Sequence, residues 1–336
     1  GLKTDENGTG LGGAVIGLFK SDETEFAAEN ALATATSAED GSFSFAGVPY
    51  GNWVLKELES PEGSILSDEV IPVTVEEDGQ VVEISLANER VYGDLRLTKV
   101  DKDYPDNKLT GAEFEVYRDT NGNKELDEGD ELLGKLEETS TGIYEMSHIL
   151  YGGVFVRETK APEGFLLDEN AYYVEITENG KIYEVENEAG IGFTNMAQTG
   201  SLRIEKTSSD GNVEGFSFRV TGANGYEQVF TTDENGEIFI EGLRVGDYTV
   251  SEVSDGASAN YVLPADKTVT IFADKTTVAE MHNELRDTPK TGDDSKPWLW
   301  AALMGVSAMG AAALGAAALG VAAYVGKRKK GKNTVK

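Results

Sequence analysis

The strongest constraint on the fold is a pattern of short alternating strands that occurs three times along the chain. Before residue 286 there is almost no helical periodicity, and Gly, Asn-Gly and Asp-Gly turns separate runs of alternating apolar and polar residues. That combination is typical of an all-β sandwich. The pattern returns roughly every 80–110 residues, the size of one sandwich domain. We therefore expect three tandem domains, at residues 1–90, 91–197 and 198–285.

Each repeat opens with a strand that carries a lysine in its apolar phase. The second repeat reads Leu95-Arg96-Leu97-Thr98-Lys99, the third reads Leu202-Arg203-Ile204-Glu205-Lys206, and the first begins Gly1-Leu2-Lys3. Side chains two positions apart point to the same face of a strand. Each lysine is therefore expected to face the core, where an unpaired lysine is rarely found.

A glutamate and an asparagine recur at matching places later in each repeat. The glutamate lies in the apolar phase of a Gly-led strand, and the asparagine ends the last strand. In chain order the glutamates are Glu57, Glu158 and Glu252, and the asparagines are Asn88, Asn195 and Asn283. One lysine, one glutamate and one asparagine per repeat are therefore candidates for a common site.

These features resemble the collagen-adhesin B-type domains, also called SpaA-type or prealbumin-like domains, of Gram-positive adhesins and pilins. The best match is Glu158-Thr159-Lys160-Ala161-Pro162-Glu163-Gly164-Phe165, which is similar to the E-box of that family. The first repeat keeps Ser60-Pro61-Glu62-Gly63 after its glutamate, whereas the third keeps only Tyr248-Thr249-Val250-Ser251-Glu252. The resemblance implies immunoglobulin-like or prealbumin-like β-sandwiches.

The resemblance also implies an intramolecular isopeptide bond in each repeat, formed when the lysine amine displaces ammonia from the asparagine amide. The bonds would be Lys3–Asn88 with Glu57, Lys99–Asn195 with Glu158, and Lys206–Asn283 with Glu252. Burial lowers the pKa of a lysine and raises that of a glutamate, which favours a nucleophilic amine and a carboxyl that carries a proton. The alternative is a buried Lys–Glu salt bridge capped by asparagine, with no covalent bond.

The C-terminal segment has the parts of a membrane anchor in order. We expect a linker at residues 286–297, a transmembrane helix at 298–325 and a basic cytoplasmic tail at 326–336. The apolar run Trp298–Tyr324 has 27 residues. As a helix it would extend about 40 Å, and a bilayer core needs about 30 Å. The basic cluster after it should stay in the cytoplasm.

The linker contains a pentapeptide that resembles the cell-wall sorting signal of Gram-positive surface proteins. Its residues are Thr288, Pro289, Lys290, Thr291 and Gly292, and Thr288 stands where that signal usually has leucine. The resemblance implies that a sortase cuts between Thr291 and Gly292 and joins Thr291 to a peptidoglycan amine. The alternative is an ordinary tail anchor preceded by a chance pentapeptide.

Charge and composition exclude several classes of function. The net charge is −31, which argues against nucleic-acid binding because such proteins need a basic surface. There is no cysteine, so an exported chain would have no disulfides. The two histidines, His148 and His282, form no evident catalytic set or zinc site. We expect neither an enzyme nor a resident cofactor.

One acidic segment of the second repeat has the spacing of a calcium loop. From Asp119 to Asp130, oxygen-bearing side chains occupy loop positions 1, 3, 5, 9 and 12. Against this reading, Lys124 occupies the position where the loop needs glycine, and no helices are expected to flank it. Calcium binding and a solvated hairpin tip are the two interpretations.

Together these features predict the wall-proximal stalk of a surface protein, reached through transient membrane anchoring in a Gram-positive bacterium. The chain begins inside a strand, which predicts a longer protein upstream. Its partners would be sortase and peptidoglycan. The alternatives are a pilin that sortase polymerises with other pilin subunits, an adhesin that binds host extracellular matrix, and a wall-anchored enzyme whose catalytic domain lies upstream.

Overall fold

The computed structural model describes residues 1–286 of the 336-residue chain. Strands dominate these residues, and the only helical elements among them are two short 3₁₀ turns, at Ala28–Asn30 and Ala223–Gly225. The predicted all-β fold is therefore confirmed for this part of the chain. The first repeat contains β1 (Leu2–Asp5), β2 (Val15–Lys20), β3 (Ala33–Thr36), β4 (Gly51–Glu59), β5 (Val70–Val75) and β6 (Ser85–Asn88).

The second and third repeats extend the same plan with longer opening strands and additional strands. The second contains β7 (Tyr92–Asp101), β8 (Glu113–Arg118), β9 (Glu131–Lys135), β10 (Glu137–Ser140), β11 (Ile143–Leu150), β12 (Gly152–Lys160), β13 (Ala171–Ile176), β14 (Ile182–Glu184) and β15 (Phe193–Asn195). The third contains β16 (Thr199–Ser208), β17 (Ser217–Thr221), β18 (Glu227–Thr231), β19 (Glu237–Arg244), β20 (Gly246–Glu252), β21 (Tyr261–Val262), β22 (Lys267–Ile271) and β23 (Thr276–Leu285).

Two sheets build each repeat, and the first strand of the repeat always lies in one of them beside the last strand. That sheet is β1-β6 in the first repeat, β10-β11-β7-β14 with β15 also on β7 in the second, and β19-β16-β23-β21 in the third. The opposing sheets are β3-β2-β4-β5, β13-β12-β8-β9 and β18-β17-β20-β22. The first and last strands run parallel in every repeat.

The alternation in the opening strands sets the core. Leu95, Leu97, Leu202 and Ile204 are fully buried, as their phase predicts. A fully buried aliphatic side chain of this kind stabilises the fold by about 1.5–3 kcal/mol. Each repeat has its own apolar core between its sheets.

The first repeat departs from the predicted strand pattern at one place. The segment Asp40-Gly41-Ser42-Phe43-Ser44-Phe45 combines an Asp-Gly turn with alternating Ser and Phe, a pattern that predicts a strand like its counterparts β11 and β19. It makes only an isolated bridge between Leu2 and Ser42. The reason is that β1 spans four residues, whereas β7 and β16 span ten each, so a longer ladder has no partner to pair with.

The Pro-x-Gly turns of the first two repeats contact the repeat that follows. Gly63 and Gly164 have φ angles of 69° and 81°, which favour glycine. A Cβ atom at Gly63 would lie 2.8 Å from the Tyr151 ring, and one at Gly164 would lie 3.0 Å from Val245. The turns therefore need glycine both for their backbone conformation and for the close approach of the next repeat.

Within residues 1–286, no helix has the length and apolar character needed to cross a membrane. The predicted transmembrane helix at 298–325, the pentapeptide at 288–292 and the basic tail at 326–336 lie outside the described residues.

Candidate functional site

The two sheets of each repeat together position a lysine, a glutamate and an asparagine, which we call the Lys–Glu–Asn cluster. In the second repeat, Lys99 on β7 is in register with Phe193 on β15, and Asn195 follows two residues later on the same face. Glu158 reaches them from β12 in the opposing sheet. Residues that are 96 positions apart in sequence therefore meet inside the sandwich.

The cluster of the second repeat is closely packed and fully enclosed. Nζ of Lys99 lies 2.5 Å from Oδ1 of Asn195, 3.7 Å from Oε1 of Glu158, and donates to the Phe193 carbonyl at 3.1 Å. Nδ2 of Asn195 lies 3.0 and 2.8 Å from the two carboxyl oxygens of Glu158. The three side chains are at most 3% exposed. The carboxyl group therefore lies beside the amide nitrogen, and the amine lies beside the amide oxygen.

Burial changes the proton affinities of this cluster in opposite directions. Desolvation lowers the pKa of Lys99 to about 8, although the charge of Glu158 partly opposes the change. Desolvation raises the pKa of Glu158 above its usual range, although hydrogen bonds from the Asp168 backbone and Asn195 and the charge of Lys99 oppose it. The two pKa values therefore move toward each other. This favours the state in which Lys99 is neutral and Glu158 is protonated, compared with the same groups in water.

The first repeat has the same arrangement. Lys3 donates a short hydrogen bond to Oδ1 of Asn88, and its Nζ lies 3.0 Å from Oε1 of Glu57. Nδ2 of Asn88 donates to both oxygens of Glu57, at 3.0 and 2.9 Å. Burial lowers the pKa of Lys3, again against the hydrogen bond and charge of Glu57.

The third repeat assembles only part of the cluster. Nδ2 of Asn283 donates to Oε1 of Glu252 at 2.6 Å. Nζ of Lys206 instead donates to the Thr207 carbonyl at 2.6 Å and lies 4.1 Å from the centre of the Phe216 ring. Burial lowers the pKa of Lys206 and raises that of Glu252, so both groups are desolvated.

Two polar atoms of the third cluster have no hydrogen-bond partner within the described part of the chain. They are Oε2 of Glu252 and Oδ1 of Asn283, and both are buried. A buried acceptor without a donor costs about 1–3 kcal/mol. In the first two repeats the equivalent asparagine oxygen accepts from the lysine, so the third lysine points away from the position that its counterparts occupy.

The loop after each glutamate explains part of this difference. In the first two repeats, Oε2 of the glutamate accepts a backbone N–H from ten residues later: Ser67 at 2.8 Å and Asp168 at 2.9 Å. The third repeat lacks the Pro-x-Gly turn, and Oε2 of Glu252 receives no such bond within residues 1–286. In the first two repeats, the Pro-x-Gly turn therefore brings the following loop back to the glutamate, where a backbone N–H of that loop bonds the carboxyl group.

The sequence reasoning missed these backbone partners. The Ser67 and Asp168 N–H groups and the Phe193 carbonyl contact the clusters, but a main-chain group leaves no residue-type signal. The only signal in the sequence is that the bonded N–H lies ten residues after the glutamate in both repeats. That interval can be recognised only when the first two repeats are aligned.

In the acidic loop of the second repeat, carboxylate oxygens accept hydrogen bonds from other groups of the same loop. The side-chain amides of Asn121 and Asn123 each donate to Oδ2 of Asp127 at 2.9 Å. Asp119 accepts from the backbone of Gly122 and Lys124. No group of three or more His, Cys, Asp or Glu residues placed to hold a metal ion occurs among residues 1–286.

Comparison with known families settles what kind of domain this is. The family model for the SpaA prealbumin-like fold domain matches residues 1–90, 93–189 and 200–285. The chain belongs to the SpaA family of prealbumin-like domains. The SpaA-type resemblance seen in the E-box is therefore confirmed. No curated protein is significantly similar to the chain.

Several solved structures are similar to the chain. The Bacillus anthracis TIE protein is 25% identical, with a TM-score of 0.64, over 84% of this chain and 49% of that one. The chain thus spans about half the length of that protein. BcpA, the major pilin subunit of Bacillus cereus, is 15% identical over 85% of this chain and 98% of its own, with a TM-score of 0.38. The pilus adhesin SpaC from Lactobacillus rhamnosus GG is 14% identical over 85% of this chain and 43% of its own, with a TM-score of 0.39.

Proposed function

We propose that this chain is the stalk of a cell-surface protein whose SpaA-type repeats are closed by intramolecular Lys–Asn isopeptide bonds. The second repeat carries the proposal, because Lys99, Glu158 and Asn195 are buried together with the amine 2.5 Å from the amide oxygen. Equivalent contacts in the first repeat support it. The bonds are Lys3–Asn88, Lys99–Asn195 and Lys206–Asn283.

The geometry of the first two repeats suits a single self-reaction in each of them. In the second repeat the neutral amine of Lys99 attacks Cγ of Asn195, the Nζ–Cγ bond forms, and the Cγ–Nδ2 bond breaks. Glu158 gives its proton to the departing Nδ2 and takes one from Nζ, so the products are an amide and ammonia. Holding the groups in contact supplies the effective concentration that this slow exchange requires. Each bond forms once, so there is no turnover.

The second part of the proposal concerns attachment and rests on the sequence. Sortase would cut after Thr291 and join it to peptidoglycan, after the segment 298–325 had held the chain in the membrane. The stalk would then present whatever precedes it away from the cell wall. Recovery of the chain from the membrane fraction alone, with none bound to the wall, would contradict this part.

The central experiment is an intact-mass measurement of the folded chain. We expect the mass to fall by one ammonia for each bond formed, and we expect digests to contain peptides joined through Lys3–Asn88 and Lys99–Asn195. In Lys99→Ala, one ammonia fewer should be lost and the peptide joined through Lys99–Asn195 should be absent. The peptide joined through Lys3–Asn88 should remain. A folded chain of unshifted mass would reduce the clusters to buried salt bridges.

The third bond is expected to form more slowly than the other two. Lys206 must leave the Thr207 carbonyl and the Phe216 ring before it can reach Oδ1 of Asn283. Because misplacement by about 1 Å can cost roughly 100-fold in rate, we expect at least a tenfold delay. Linked peptides counted at intervals after refolding from urea would show it. Equal rates in all three repeats would contradict the expectation.

The rate in the second repeat is expected to fall on both sides of a plateau in pH. The reactive pair needs one proton, carried by Glu158 while Lys99 is neutral. That proton is lost as the pH rises through the lowered pKa of Lys99, about 8, and a second proton is added below the raised pKa of Glu158. Above pH 8 the rate should fall about tenfold per pH unit. A rate that keeps rising there would mean that the protonated carboxyl is not needed.

A further inference from the structure

The second repeat contains a chain of polar side chains that the proposed reaction does not itself use. It joins the loop after Glu158 to the short strand that carries Asn195. Its members are the side chains of Asp168, Tyr172 and Asn187, and it ends at the Thr194 backbone. The hydroxyl of Tyr172 donates to Oδ2 of Asp168 at 2.6 Å, and Nδ2 of Asn187 donates to the same oxygen at 2.9 Å.

Asn187 holds the backbone immediately before Asn195. Its Nδ2 donates to the Thr194 carbonyl at 2.8 Å, and its Oδ1 accepts from the Thr194 N–H at 2.6 Å. These two bonds replace the pair that a neighbouring strand would make. The strand β15 has only three residues and pairs with β7 alone. The side chain of Asn187 therefore bonds the N–H and the carbonyl of Thr194 that β7 does not pair.

Asp168 links this support to Glu158 in two ways. Its backbone N–H donates to Oε2 of Glu158 at 2.9 Å, while its carboxylate holds Asn187 and Tyr172. Burial would raise the pKa of Asp168, but the hydrogen bonds from Tyr172, Asn187 and Asn170 outweigh it and leave that pKa below its usual range. Asp168 therefore keeps a negative charge beside the cluster.

The first repeat has no counterpart of this support. Ser67 occupies the position of Asp168 and donates the same backbone hydrogen bond to Glu57. Its hydroxyl accepts only from the Glu69 backbone, at 3.3 Å, among the bonds described for residues 1–286. One molecule therefore contains a cluster with this polar support, in the second repeat, and a cluster without it, in the first. The cross-linking rate of the first repeat can serve as the reference for that of the second.

We propose that Asn187 and Asp168 are positioning residues for the cross-link of the second repeat: Asn187 fixes the backbone that presents the Asn195 amide, and Asp168 ties that backbone to Glu158. This inference rests on the proposed isopeptide function. Neither residue touches the amine or the amide that react, so their effect is on the approach of the groups.

The test compares the two cross-links within one molecule. The full chain carrying Asn187→Ala is refolded from urea, and joined peptides from the first and second repeats are counted over time. We expect the second-repeat rate to fall roughly 10- to 100-fold relative to the first. The control is Asn123→Ala, because Asn123 is an exposed asparagine of the same repeat that donates to Asp127 at 2.9 Å and contacts neither Asp168 nor Thr194 among the described bonds. It should leave the ratio within about twofold.

A second variant covers the case in which Asn187→Ala does not fold. Tyr172→Phe removes only the hydroxyl that holds Asp168 and keeps the ring 5.1 Å from the Phe193 ring. We expect a smaller slowing confined to the second repeat. An unchanged ratio of the two rates in both variants would overturn the inference, whereas absence of both cross-links from the wild-type chain would overturn the proposed function instead.

A pH profile separates positioning from simple stabilisation. The charged groups facing Lys99 are Glu158, Asp168 and Asp101, and each raises its pKa against the effect of burial. Asp168→Asn removes one of these charges, so the alkaline fall in the second-repeat rate should move to lower pH. A purely structural role would change the unfolding transition and leave that fall where it is, which would overturn the part assigned to Asp168.

Discussion

Glu158→Gln is expected to remove the cross-link of the second repeat and leave that of the first intact. Glutamine keeps the size of the side chain and one of its two acceptor oxygens, but it cannot give a proton to the departing Nδ2 of Asn195 or take one from Lys99. Loss of a general acid–base group costs about 10²–10⁴ in rate. After correction for the substitution itself, the intact mass should therefore exceed that of the wild-type chain by one ammonia.

The lost bond should also appear as lost stability. A cross-link that closes a loop of about 100 residues contributes roughly 4.7 kcal/mol in the chain-entropy model, and Lys99 and Asn195 are 96 residues apart. Calorimetry should show an earlier unfolding transition for the second repeat. The control is Glu163→Gln, an exposed glutamate of the same E-box. A Glu158→Gln chain that still loses the second ammonia would exclude the proposed role of the carboxyl.

Arg244→Ala is expected to loosen the contact between the second and third repeats. Arg244 ends β19 and forms a two-pronged ion pair with Asp101, with Nη2 lying 2.6 Å from Oδ1; it also reaches Asp103 at 2.7 Å. Its guanidinium lies 4.8 Å from the centre of the Tyr104 ring. The Asp101 side chain is only 2% exposed. Removing one partner of a buried pair leaves an uncompensated charge and costs about 3–5 kcal/mol.

The matched control is Arg219→Ala, since Arg219 pairs with Glu227 at 3.2 Å on the exposed surface of the third repeat. A surface pair contributes about 0–1 kcal/mol. Denaturant unfolding should show a larger loss of stability for Arg244→Ala than for Arg219→Ala. Small-angle scattering should show a wider range of orientations between the second and third repeats only for Arg244→Ala. Equal effects of the two substitutions would mean that the contact adds nothing to the stability of the chain.

Acid should have the same effect as removing Arg244. Burial would raise the pKa of Asp101, but the hydrogen bonds from Arg244 and from the Asp103 backbone outweigh it and leave that pKa below its usual range. The stabilisation is therefore fully present above the unfolded pKa of about 3.9 and is lost as the pH falls through the lowered folded value. Arg244→Ala should remove this part of the acid sensitivity.

The position of this contact suggests how a pulled stalk would carry load. Asp101 lies in register with Asn195 on the strand that also carries Lys99. A force entering the second repeat through its first strand would have two routes: across the proposed Lys99–Asn195 bond into the last strand, and from Asp101 through Arg244 into β19 of the third repeat. The sheets themselves would bear little of it.

The sequence by itself determined the all-β class, placed lysine and glutamate in the apolar phase of their strands and marked an asparagine at the end of each last strand. Those are local properties, because the pleat repeats every two residues and a burial pattern can be read from neighbours alone. It could also mark the E-box, since the Pro-x-Gly turn requires particular residue types.

Only the tertiary structure decided which groups meet and how. The parallel register of first and last strands brings Lys99 to Asn195, and alternation contains no information about which strands pair. The Asp168 backbone, the Asn187 support and the Arg244–Asp101 contact depend on loops and neighbouring repeats. The same holds for the different position of the buried Lys206 amine, since the rotamer of a lysine side chain depends on what surrounds it, and those surroundings come from segments distant in sequence.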